Sequence, residues 1–287
     1  MSDLAFGGRL AAAFAQHGQL CVGIDPHPFL LDEWGLPDSA AGLREFGLRV
    51  VEATAGRAGI LKPQVAFFER HGSAGYSALE QILDRARQAN LLVIADVKRG
   101  DLGTSVEAYG QAWLTPGGAL EADAMTISAY QGLGSIAGPI ALAHATGKGL
   151  FVLSATSNPE AATIQTARVA TGEYAGETVA AAIVKGVNAI NRAAARPVGS
   201  LGVVLGATVS ADDYGISLEE LAGVPATPVL APGFGFQGAT FAEVRPRFGA
   251  SAPFTVVAIS RGVLSAGPDR VSEAISRAAG EVSECLA

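Results

Sequence analysis

Cysteine is nearly absent from this chain: Cys21 and Cys285 are the only two in 287 residues, they lie far apart, and neither sits in a C-x-x-C pair. A disulfide framework and a zinc ribbon are thereby excluded, and Cys21 reads as a small apolar strand residue. Histidine is also scarce. His17, His27, His71 and His144 show neither H-x-x-x-H nor H-E-x-x-H spacing, so no metal site is expected, and no Ser-His-Asp arrangement stands out. Charged residues make up only 16% of the chain, the net charge is -7, and no stretch is a basic run. Phosphate contacts need clustered Lys and Arg, so nucleic-acid binding is excluded. There is no uninterrupted apolar run of about 18 or more residues, and no basic segment followed by an apolar one at the N-terminus, so neither a membrane span nor a secretory signal is expected. What remains is a cytoplasmic enzyme or binding protein.

The abundant residues are apolar, at 49% of the chain, which can bury a large core. Short runs rich in Val, Ile and Leu recur with helix-like stretches between them, the pattern of parallel βαβ units. The runs are 20–25, 59–67, 91–98, 124–130, 150–156, 201–208, 228–233 and 254–260. Helices are expected over 40–56, 74–89, 104–114, 134–146, 173–195, 217–222, 238–247 and 268–285. Eight even alternations predict an α/β fold of the (β/α)8 TIM-barrel type, a single domain over 1–287, more than an open sheet. The segment "MSDLAFGGRLAAAFAQHG" predicts an extra N-terminal helix capping the bottom of that barrel. The helical stretch "AAAIVKGVNAINRAAA" has apolar spacing suited to packing.

Barrel chemistry belongs at the C-terminal ends of the strands. There "LLVIADVKRGDLG" breaks from an apolar run into Asp96, Lys98, Arg99 and Asp101. Spacing of two puts Asp96 and Lys98 on one face of a strand, here the inward one, where a charge cannot be solvated unless it lines a pocket. A Lys held between carboxylates stays protonated and makes a fixed proton donor. Lys62, in "ILKPQV", is flanked by residues that should be buried, and Asp25, in "GIDPHP", could accept from a hydroxyl-bearing ligand. Arg99 alternates to the opposite face from Lys98, and its role depends on what packs outside the strand.

A second constellation follows the seventh and eighth runs. Loops in that position on barrels frequently bind phosphate through backbone N–H groups. "LAPGFGFQGA" supplies Gly233, Gly235 and Gly238, and "ISRGVL" supplies Arg261, whose guanidinium can hold phosphate oxygens in a bidentate manner. After the fifth run, "TSNPE" places Ser157 where it could hold a polar ring edge.

The motifs "CVGIDP", "LKPQVAFFE", "ADVKRGDLGTS", "SATSNP", "APGFGFQG" and "ISRG" together resemble the orotidine 5'-phosphate decarboxylase family, specifically its longer bacterial type 2 subfamily. The resemblance covers nearly the whole chain. It implies decarboxylation of orotidine 5'-phosphate to uridine 5'-phosphate, with no cofactor, in a homodimer with shared active sites. It further implies that Lys98 is the proton donor and that Asp96 lies beside the substrate's carboxylate. By the same resemblance, Lys62 and Asp101 would complete the charged network, with Asp101 and Ser105 reaching into the partner's site. Asp25 would bind ribose hydroxyls, Ser157 the pyrimidine, and Gln237 and Arg261 the phosphate. Two alternatives stay open: a metal-dependent phosphorylated-sugar lyase on the same scaffold, such as a keto-gulonate phosphate decarboxylase, and a non-catalytic barrel that binds a nucleotide or phosphate ligand.

Overall fold

Eight parallel strands hydrogen-bond in sequence order and close on themselves in the computed structural model, which describes residues 5–193 and 196–287. They are β1 (Leu20–Ile24), β2 (Ile60–Pro63), β3 (Leu92–Arg99), β4 (Ala124–Ile127), β5 (Gly149–Ala155), β6 (Leu201–Leu205), β7 (Val229–Pro232) and β8 (Thr255–Ile259). Closure removes both sheet edges, and helices cover the outside, so β1, β2, β4, β6 and β8 are buried along their full length. The expected barrel is the observed one.

Most expected helices form with ends shifted by one to three residues, as at Ala40–Thr54, Gly72–Gln88, Gly103–Leu114 and Val271–Leu286. Two are shortened. The stretch expected over 173–195 is helical only from Val179 to Ala193, with 194 and 195 outside the described residues, and 238–247 gives a 3-10 turn, Phe241–Glu243, followed by Val244–Phe248. The second apolar run, 59–67, is corrected more substantially: its strand ends at Pro63 and the chain turns into a short helix, Ala66–Glu69, that buries Phe68. Composition alone cannot separate a buried strand from a buried helical turn in such a run.

The helix Phe6–His17 caps the bottom of the barrel. Phe6 and Leu10 join Cys21, Ile60, Ile94, Ala124, Phe151 and Val256 in a cluster inside the strands, with Phe6 edge-on to Phe151 at 5.9 Å. Outside the barrel, Arg9 of this helix pairs with Asp123 and donates to the Gly147 carbonyl at 3.1 Å, and the other Asp123 oxygen accepts from the Val93 amide at 2.9 Å. Burial pushes the Cys21 thiol up to about 12. No helix among the described residues is long and apolar enough to cross a membrane.

The interior cluster also fixes what the next layer contains. Side chains repeat every second residue on one face of a strand, so inward-facing Ile60, Ile94 and Ala124 place Lys62, Asp96 and Thr126 one layer higher, toward the mouth. An apolar floor thus passes directly into a charged layer.

Candidate active site

Asp96 is the centre of that charged layer. It is buried, and both oxygens are occupied. Lys62 Nζ donates to Oδ2 at 3.0 Å and Gln64 Nε2 donates to the same atom at 3.1 Å; Lys98 Nζ donates to Oδ1 at 2.5 Å, as does Thr126 Oγ1 at 2.9 Å. Four donors, from β2, the turn that follows it, β3 and β4, hold one carboxylate, which fixes its orientation before any ligand arrives.

Burial by itself would raise the pKa of Asp96, but the charges of Lys62 and Lys98 outweigh it and hold the carboxyl well below its usual range. For Lys62, burial would lower the pKa, and the charges of Asp96 and Asp25 outweigh it, holding the ammonium above its usual range. The signs follow from these directions. Asp96, depressed in the folded state, contributes stability that is complete above its ordinary value of 3.8 and lost as pH falls further. Lys62, raised in the folded state, contributes stability that is complete below its ordinary value of 10.5 and lost at higher pH. The pair therefore stays charged across the whole neutral range.

Lys98 meets Asp96 by a route that simple strand alternation does not describe. Between Ala95 and Arg99 the β3–β4 register shifts, with Ala95 opposite Met125 and Arg99 opposite Ile127, and Lys98 has φ +45°. A non-glycine residue there is uncommon and strained. Its side chain is 48% exposed toward the mouth, unlike that of Lys62 at 9%. One ammonium is thus a buried anchor and the other is available to a ligand. Arg99 turns outward, donating to Glu69 at 2.7 Å and packing over the Tyr109 ring at 5.7 Å. It ties the end of β3 to the surrounding helices.

The second constellation forms across the barrel mouth. Asp25, Lys62, Gln237, Ser260 and Arg261 line one cleft with the glycine loop after β7. That loop depends on Gly233 at φ +119° and Gly238 at φ +105°, a region side-chain-bearing residues rarely enter. Gly23 is required for a different reason: a Cβ there would lie 2.7 Å from that of Ser260. The Arg261 guanidinium sits 3.5 Å from the centre of the Phe236 ring, and among the described residues it has no carboxylate partner, as suits a group kept for an anion. Ser157 Oγ donates to Gln237 Oε1 at 3.0 Å, joining the loop after β5 to the glycine loop. Asp25 Oδ1 and Ser260 Oγ are buried with no hydrogen-bond partner among the described residues. Unpaired buried oxygens are costly, and their position in the cleft marks them for a hydroxyl-bearing ligand.

Asp101 and Ser105 stand apart from both groups. Asp101 accepts from the Leu102 amide at 2.9 Å, forms no ion pair among the described residues, and Ser105 is exposed on the helix Gly103–Leu114. Thr126 and Gln64 are the residues that sequence reasoning passed over, while Ser260 is legible as the polar end of the eighth run but without a role. The signal for Thr126 was its spacing of two from inward-facing Ala124. Among the described residues no group of three His, Cys, Asp or Glu side chains is gathered that could hold a metal ion.

Residues 18–275 match the sequence pattern of the orotidine 5'-phosphate decarboxylase / HUMPS family. The chain belongs to this family. An orotidine 5'-phosphate decarboxylase from Salinispora tropica is 48% identical over 268 residues, covering 93% of this chain and 92% of that one. Another, from Streptomyces coelicolor, is 46% identical over 267 residues, covering 92% and 91%. Among solved structures, a candidate orotidine 5'-phosphate decarboxylase from Streptomyces avermitilis superposes with a TM-score of 0.91 at 42% identity, covering 100% of this chain and 97% of that one. The Leishmania donovani OMP decarboxylase superposes at 0.78 with 25% identity, covering 99% of each. The family match spans every strand, so both constellations lie within it.

Proposed function

We propose that this chain decarboxylates orotidine 5'-phosphate to uridine 5'-phosphate in pyrimidine biosynthesis, as a carboxy-lyase that needs no cofactor. The observation that carries this reading is the Lys62–Asp96–Lys98 network, set beside a glycine loop and Arg261 suited to a 5'-phosphate, in a chain of this family. The chemistry calls for such a network. When the C6–carboxylate bond breaks, CO2 leaves and the electron pair stays on C6 as a vinyl-type carbanion that no adjacent carbonyl can delocalise. A fixed ammonium stabilises that charge, and Lys98 then delivers a proton to C6 and is reprotonated from solvent. Asp96 lies beside the substrate's carboxylate, and their repulsion ends as CO2 departs.

Enzymes lower barriers by roughly 8–23 kcal/mol, and one ion pair cannot supply the upper end of that range. Remote binding contributes the rest. Gln237 and Arg261 hold the phosphate, Asp25 the ribose hydroxyls and Ser157 the pyrimidine, so that binding energy closes the glycine loop over the reacting carbon. We assign the chain to the longer, type 2 branch on the elaborated β5–β6 connection, which carries a short helix, Ala162–Gln165, and the long Val179–Ala193. Substrate and product are water-soluble nucleotides, which supports a cytoplasmic location.

A homodimer with shared sites completes this reading. Leu102 is 60% and Tyr130 76% exposed at the ends of neighbouring strands, next to Asp101, and an apolar rim of this kind favours association. A second copy would place Asp101 and Ser105 against the partner's charged layer. Lys98→Ala and Asp101→Ala proteins, each inactive alone, are expected to regain activity on mixing. Half of randomly reassembled dimers are mixed and one of their two sites is intact, so about a quarter of wild-type activity returns. Verified heterodimers with no recovery would refute the shared site.

The competing reading is a metal-dependent lyase acting on a phosphorylated keto-sugar. Protein dialysed against EDTA and given carboxyl-labelled orotidine 5'-phosphate together with keto-gulonate phosphate is expected to release labelled CO2 and leave the sugar intact. Consumption of the sugar instead, or turnover only after a divalent cation is added, would favour the competitor.

A further inference from the structure

Thr126 is almost fully buried, and its hydroxyl has no spare capacity. The Val97 and Lys98 amides donate to Oγ1 at 3.0 and 2.9 Å, which fills both lone pairs. The single hydroxyl proton is therefore directed to the remaining contact, Asp96 Oδ1 at 2.9 Å. That same oxygen accepts from Lys98 Nζ. One side chain of β4 thus grips both ends of the proton donor: its backbone, in the strained conformation at φ +45°, and the carboxylate that aims its ammonium.

From this geometry we infer that Thr126 is the positioning residue of the decarboxylation, holding Lys98 in its left-handed bulge and fixing the oxygen of Asp96 to which the donor is paired. The inference rests on the roles proposed above for Lys98 and Asp96. Two amides feeding a hydroxyl that feeds a carboxylate polarise in the same sense, so loss of the hydroxyl weakens the chain at every link. Without it, the Val97 and Lys98 amides also lose their partner, and the bulge has less to oppose relaxation to an ordinary strand. The ammonium would then be displaced from the reacting carbon. A displacement of about 1 Å is enough to slow chemistry by about 100-fold.

Binding of ribose and phosphate does not pass through Thr126, which separates this role from a merely structural one. The test compares wild type, Thr126→Ser, Thr126→Val and Lys98→Ala by kcat and KM for orotidine 5'-phosphate, and by calorimetric Kd for uridine 5'-phosphate. Thr126→Val is expected to lose about 10- to 100-fold in kcat, with KM and Kd changed less than about 3-fold, and Thr126→Ser to stay within about 3-fold of wild type. Should the valine variant fail to fold, Thr126→Ala against Thr126→Ser isolates the hydroxyl, with the same ratio expected. The inference is overturned if the hydroxyl-free variant keeps wild-type kcat, if serine falls as far as valine or alanine, or if product affinity collapses in step with kcat. An active Lys98→Ala would sink the donor assignment and this inference with it. An inactive Lys98→Ala beside a fully active Thr126→Val or Thr126→Ala would sink the inference alone.

Discussion

Replacing Lys98 with alanine is expected to lower kcat for orotidine 5'-phosphate by at least about 10⁴-fold while the barrel stays folded. Both halves of that expectation come from position. Lys98 is the more exposed of the two ammonium groups on Asp96, so its removal opens no core cavity. Asp96 would still accept from Lys62, Gln64 and Thr126, and the buried carboxylate keeps a cationic partner. What disappears is the more exposed of the two ammonium groups, the one proposed to deliver the proton. Steady-state kinetics alongside a thermal melt would check the two halves separately. A variant that is folded yet within about 10-fold of wild type in kcat would remove Lys98 from the chemistry.

Asp96→Asn is expected to fail differently, in stability as well as in activity. Lys62 is buried with a side chain only 9% exposed, and Asp96 is its only ion-pair partner among the described residues. Removing one member of a buried pair strips the other of its partner, at a cost of about 3–5 kcal/mol, and here leaves Lys62 with only the unbonded Asp25 carboxylate nearby. In a chain of this size that corresponds to a fall in Tm of roughly 5–8 °C. Activity falls as well, because the asparagine amide offers one acceptor atom where two oxygens now hold four donors. The double variant Lys62→Met with Asp96→Asn separates the effects: it should regain much of the lost Tm, since an apolar group replaces the stranded charge, but none of the activity. A single variant with wild-type Tm would mean that Lys62 finds another partner and that the pair is not the anchor described here.

The barrel was legible in the sequence because its main determinant is local. Eight apolar runs with helical patterns between them leave few other ways to bury so much Val, Ile and Leu, and closure follows from their parallel order. Strand ends were less legible. Runs such as 124–130 and 201–208 continue past the strand ends at Ile127 and Leu205, and only the register against the neighbouring strand reveals where regular pairing stops. At 59–67 an apolar run even conceals a change from strand to helix.

The site divides along the same line. Asp96, Lys98 and Lys62 announced themselves as charges where charges are costly, and Asp25, Arg261 and the glycines as polar or permissive residues at strand ends. Thr126 carried no such mark, since threonine is an ordinary strand residue; its role depends on facing β3 at the register shift. Gln64 was hidden inside a run read as strand, and Ser260 was overshadowed by its neighbour Arg261. Arg99 needed the helices it touches, through Glu69 and Tyr109, before its charge had a place. Asp101 and Ser105 touch neither group within one protomer, so their expected roles rest on the proposed homodimer.

Absorbance of orotidine 5'-phosphate followed over time with the purified chain in EDTA, and with nothing else added, tests the central claim most directly. Steady conversion to uridine 5'-phosphate at a rate proportional to protein is the predicted result. An unchanged spectrum, or conversion that begins only when a metal or organic cofactor is supplied, would contradict a decarboxylase that works through its own lysine and aspartate.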